Sequence, residues 1–217
     1  MLPAHHAPLF RRMTLIAALT FSASCLAATA QQFDTAFASF QQARSGSESA
    51  LGKSAEAFSV LHKAEPANPV LLAYAGATTA MRANTTWLPW KKMTYADDGL
   101  AQLDKALAML TAAHSAPLQH DVPAVLEVRF VAANTFLAVP EFMNRAARGA
   151  KLLAEVVTSP LLGAAPIAFR GDVWLVAADL ASKAQRHDEA RRYLNAVVNA
   201  AAPQAAVARA KLAGLAS

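Results

Sequence analysis

Apolar residues in this chain recur at the three- and four-residue spacing of helix faces, and the runs come in pairs. The plainest pair lies near the C-terminus. Trp174 is followed one turn later by the small residues Ala177 and Ala178, and after a polar stretch by Ala190, Leu194 and Val197. A large residue, a small pair and then a second apolar trio let two antiparallel helices pack closely, which predicts a hairpin over about 166–201. The same order recurs upstream. Leu72 with Ala75-Gly76, then Gly99, Leu103 and Ala106, predicts a hairpin over 69–113; Ala132-Ala133 with Phe136, then Phe142, Ala146, Ala150 and Leu153, predicts another over 122–157. Phe33, Phe37 and Phe40, a turn at Ser45-Gly46-Ser47, then Ala57, Phe58 and Leu61 predict a first hairpin over 33–64, with a less regular first helix. Pro66 and Pro69 stop one helix and start the next. Pro203 opens a short helix running to about 216, predicted to cover the apolar face the last hairpin would otherwise leave wet.

One interval breaks the rhythm. Trp174 to Ala190 is 16 residues, whereas Leu72 to Gly99 is 27, which leaves 11 extra residues within 83–98. This insertion gathers Trp87, Pro89, Trp90, Lys91, Lys92, Met93 and Tyr95. Flat rings beside lysines suit a binding surface for a partner, lipid headgroups or a glycan, because they bury area at little entropic cost. The alternative, adopted as the expectation, is that both tryptophans fold back into the gap while Lys91 and Lys92 stay at the surface. Asp97 and Asp98 then read as caps of a helix beginning near Gly99.

Composition narrows the class. Of 217 residues, 55% are hydrophobic, only 7% are aromatic and much of the apolar share is alanine, which favours closely packed helices over sheet. The fold class expected is all-α. Residues 1–30 read as an export signal: Arg11-Arg12, an apolar run from Met13 to Ala27 too short for a comfortable span, and a small-x-small site at Ala28-Thr29-Ala30. Cleavage near Ala30 predicts a periplasmic or secreted chain with no integral span; an uncleaved anchor is the alternative. The residues after Arg12 fit a twin-arginine signal poorly, and Ser22 does not suit a lipoprotein reading of Cys25.

Cys25 is the only cysteine, so the mature chain would have no thiol for disulfide or metal chemistry. Loss of Arg11 and Arg12 lowers the formal charge of +5 by two, and the remaining cations are scattered among acids. No nucleic-acid partner is expected. Gly46 to Ser54 resembles a phosphate loop, but five residues rather than four separate Gly46 from Gly52-Lys53. His114, His120 and Asp121 fall in a proline-containing linker at a spacing that does not share a helix face. No cofactor and no metal site are expected, and no catalytic motif is present.

The repeated large-then-small spacing, with Gln185-Arg186-His187-Asp188-Glu189-Ala190 as an interhelix turn, resembles the tetratricopeptide-repeat (TPR) family. Trp90-Lys91-Lys92-Met93 with Gly99-Leu100 and Leu103-Asp104-Lys105-Ala106 resembles uncharacterised exported bacterial proteins of that type. The resemblance implies a right-handed α-solenoid of about four hairpins with a C-terminal capping helix. It implies a non-enzymatic scaffold for a peptide or protein partner, held in a groove presenting Tyr74, Phe130, Asn134, Asp179 and Lys183. The insertion residues Trp87, Trp90, Lys91, Lys92 and Tyr95 form the second binding candidate. Two rivals remain: a cell-wall-modifying hydrolase on a helical frame, needing paired carboxylates such as Glu127 and Asp172 across a pocket, and a self-associating structural protein.

Overall fold

The computed structural model describes residues 30–119 and 121–215. The predicted export signal, apart from Ala30, lies outside the described residues, as does His120. The described residues are all-helical, with no strand among them, and the helices pack in neighbouring pairs. Helix α1 covers 30–44. It is followed by α2 (Glu48–Ala64), α3 (Pro69–Met81), α4 (Pro89–Ala108), α5 (Ala124–Ala138), α6 (Ala146–Val157), α7 (Ile167–Lys183), α8 (His187–Asn199) and α9 (Ala205–Gly214). None of them is long and apolar enough to cross a membrane.

Local chemistry sets the boundaries. Gly46 takes φ +100 in the turn between α1 and α2, a conformation that favours glycine, and the Ser47 side chain then accepts from the Ala50 N–H to cap α2. Asn68 caps α3 by accepting from the Val70 and Leu71 N–H groups, while Pro69 occupies the first turn, where its missing donor is not needed.

Helix α3 is the hub. Nearly all of its side chains are buried, because α2, α4 and α5 all pack against it. Its approach to α4 is very close: a Cβ on Gly99 would stand 2.5 Å from the Ala80 nitrogen and 2.6 Å from the Gly76 carbonyl oxygen. Only glycine fits there, so the small-residue spacing has a direct steric cause. Phe33, Phe40, Phe58 and Tyr74 join α1, α2 and α3 through ring contacts, the closest being Phe58 stacked on Tyr74 at 4.8 Å. At the other end Ala178, Leu194, Val197, Ala202 and Ala208 form a core that α9 closes.

Two local predictions are corrected. The returning face of the third hairpin does not begin at Phe142, which is 66% exposed, and Ala146 is exposed as well. Asn144 takes a left-handed backbone (φ 53) after a short 3-10 turn, so α6 starts only at Ala146; it buries Leu153 of the predicted set, half-buries Ala150, and adds Gly149, Leu152 and Val156. Likewise α4 begins at Pro89, not near Gly99. Asp97 and Asp98 lie inside it and cap nothing. The extra residues form one 3-10 turn, Arg82–Thr85, and an N-terminal extension of α4.

Candidate functional site

The first helix of each pair contributes one face to a single cleft of about 400 Å³, within the size range of ligand sites. From α1 come Phe37, Phe40, Gln41 and Arg44, at the i, i+3, i+4, i+7 spacing of one helix face. Helix α3 adds Tyr74, Ala77 and Met81; α5 adds Phe130, Asn134 and Ala138; α7 adds Phe169 and Asp172. Ala83 and Asn84 in the 3-10 turn, Ala96 of α4 and Pro140 after α5 complete the wall. Most of this lining is aromatic or small and apolar, with a few polar groups among it.

Three of those polar groups, Tyr74, Asp172 and Asn134, are held by specific partners. The Tyr74 hydroxyl donates to Glu127 Oε1 at 2.8 Å, and both residues are buried. Burial pushes the Tyr74 phenol well above its usual pKa, and the Glu127 carboxylate adds to this, so the hydroxyl stays protonated as a donor. Asp172 accepts from Gln204 Nε2 at 2.9 Å. Burial raises its carboxyl pKa, opposed first by the Arg44 charge and then by the Gln204 hydrogen bond. Asn134 donates through Nδ2 to the Phe130 carbonyl oxygen at 3.1 Å. Phe130 and Phe169 meet edge to face at 5.3 Å. The cleft thus offers ring surface for an apolar group, with Arg44 and Asp172 as charged groups on its walls.

The five groove residues expected from sequence divide here. Tyr74, Phe130 and Asn134 line the cleft, whereas Asp179 and Lys183 do not. Asp179 pairs with Lys211 of α9 at 2.6 Å, and Lys183 is exposed near the end of α7. Sequence reasoning did not assign Arg44, Phe169 and Gln41 to the groove. The regular spacing of 37, 40, 41 and 44 was the available signal for α1. Of the two carboxylates considered for hydrolysis, Asp172 lies on the cleft wall, whereas Glu127 lies beneath Tyr74 and is only 2% exposed.

In the insertion the lysines are at the surface as expected, but the tryptophans do not fold back. Trp87 is 84% exposed, Trp90 64% and Met93 40%, with Lys91 and Lys92 also at the surface. No gap waits for the rings, because α4 itself fills the space beside α3 through Ala96, Gly99 and Leu100. Tyr95 is half-buried under Arg82, whose guanidinium sits 4.4 Å from the ring centroid and donates to the phenol oxygen at 3.0 Å. In the linker, His114 Nδ1 accepts from the Thr111 N–H at 2.9 Å and so serves a local turn. Comparison with protein-family models, with curated proteins and with solved structures finds no match.

Proposed function

We propose that this chain is an exported, non-enzymatic scaffold whose four helix pairs form a TPR-like solenoid and hold a peptide segment or protein partner of the bacterial cell envelope in the cleft. One observation carries the reading: the cleft is built from the first helix of every pair, so its shape depends on the whole array and not on any one hairpin. Its aromatic walls suit an apolar side chain of the partner, while Arg44, Asn134 and Asp172 meet polar groups of its backbone or charged neighbours. The apolar run and small-x-small site before Gln31 support export. A hydrolase on the same frame needs a second carboxylate facing the cleft, and among the lining residues Asp172 is the one carboxylate.

Affinity enrichment from the native envelope tests the proposal. The wild-type chain recovers a specific partner, and Arg44→Glu combined with Asn134→Ala loses it without loss of helical content by circular dichroism. Recovery of the same partner by the double variant, or of none by the wild type, counts against the proposal.

A further inference from the structure

We propose that the exposed N-terminal end of α4 is a membrane-docking tip that rests on an anionic phospholipid surface, independently of what the cleft binds. Three observations carry it. First, the tip protrudes: α4 has 20 residues against 13 in its partner α3. Tyr95 and Ala96 still lie against Arg82 and α3, but every residue from Pro89 to Thr94 is exposed, about 9 Å of helix at 1.5 Å per residue.

Second, its large apolar side chains are uncovered. Trp87 and Trp90 are among the most exposed large hydrophobic residues described, and Met93, 40% exposed, lies within seven positions of both. Solvent-facing tryptophans are costly to leave in water, and the indole ring, with its N–H, sits favourably at the lipid headgroup level.

Third, the charge has one sign. Residues 82–96 carry Arg82, Lys91 and Lys92 and no acid. Asp97 and Asp98 come only at the base of the extension, beside the crossing. A convex tip with rings at its end and cations around them complements a flat anionic surface, where each basic residue close to the plane adds attraction and the rings add burial. A protein partner or a second copy would instead have to offer a recess shaped to the two rings.

Vesicle binding by the full chain tests this, with Trp174→Phe used so that emission reports Trp87 and Trp90 alone. Vesicles of equal parts phosphatidylglycerol and phosphatidylcholine are expected to shift that emission to the blue and shield it from acrylamide, with binding weakened by added salt; phosphatidylcholine alone leaves it unchanged. Lys91→Glu with Lys92→Glu, and separately Trp87→Ala with Trp90→Ala, each reduce affinity about tenfold or more in co-sedimentation. Several results overturn the proposal. Vesicle binding with both rings still open to acrylamide is one, since it assigns the attraction to the N-terminal residues. Either pair of substitutions leaving affinity intact, or equal partition onto neutral vesicles, does the same. So does emission that responds only to protein concentration, or to a lipid-free envelope protein fraction, which would assign the tip to a second copy or to a protein partner. Arg44→Glu with Asn134→Ala leaves vesicle binding unchanged, so failure here is separable from failure of the cleft.

Discussion

The two ends of α4 are one continuous helix with opposite surroundings. From Ala96 onward, Ala96, Gly99, Leu100, Leu103 and Ala106 form a buried stripe against α3. From Pro89 to Thr94 nearly every side chain faces solvent, although the helical backbone is unbroken. The contrast separates two properties that sequence patterns tend to merge. Backbone hydrogen bonding continues wherever no residue interrupts it, and Pro89 at the first turn starts the ladder early. Burial depends on whether another element lies alongside, and α3 ends at Met81.

The largest effect expected from this comparison is at the buried end. Leu103 is 0% exposed and faces α3, so Leu103→Ala should cost about 2–5 kcal/mol by removing packed methyl groups and leaving a cavity. Urea unfolding followed by circular dichroism reads it directly. A loss under about 1 kcal/mol would mean that the α3–α4 seam collapses readily and is not the rigid wall drawn here.

Next comes the crossing point itself. Gly99→Ala adds one methyl group that meets the backbone of Ala80 and Gly76, and backbone yields less easily than a side chain. The expected cost is about 1–3 kcal/mol, in the range typical of overpacking. The same substitution at Gly52, on α2, meets nothing within 4 Å and should be neutral or slightly stabilising, since alanine is the better helix former. Comparing the two melting temperatures isolates steric contact from helix propensity. Equal responses would contradict the close approach.

How much of this was legible in the sequence follows from the same physics. Gly76 and Gly99 stand out as small residues on the two helices of one hairpin, and their role needs only the rule that close helices require small side chains. The hairpin at Trp174 and Ala190 was legible for the same reason, being local and regular. The start of α4 is displaced in the sequence reading because Asp97-Asp98-Gly99 has the look of a helix start, although no proline separates Trp90 from Leu100 and the close approach to α3 is what calls for Gly99. Tyr74, Phe130 and Asn134 could be placed on a groove from their positions on first helices. Arg44 shares a helix face with Phe37, Phe40 and Gln41, but its meeting with Phe169 at one cleft depends on how successive pairs turn relative to each other. Asp179 is misplaced for a further reason: Lys211 of α9, which packs on α8, reaches it, a tertiary pairing with no trace in local spacing.

The smallest expected effect is at the exposed end, and it sharpens the contrast most. Buried tryptophans would make Trp87→Ala with Trp90→Ala a loss of several kcal/mol, since core aromatics commonly cost about 3–5 kcal/mol each on truncation. With Trp87 84% and Trp90 64% exposed, the removed rings leave no cavity, and the double variant should unfold within about 0.5 kcal/mol of wild type. Acrylamide should quench both residues strongly in the isolated chain and Trp174 less, because Trp174 is half-buried against the core closed by α9. A clear fall in melting temperature together with weak quenching would mean that the α4 extension folds back onto the array. That result would remove both the protruding tip and the distinction between the two ends of the helix.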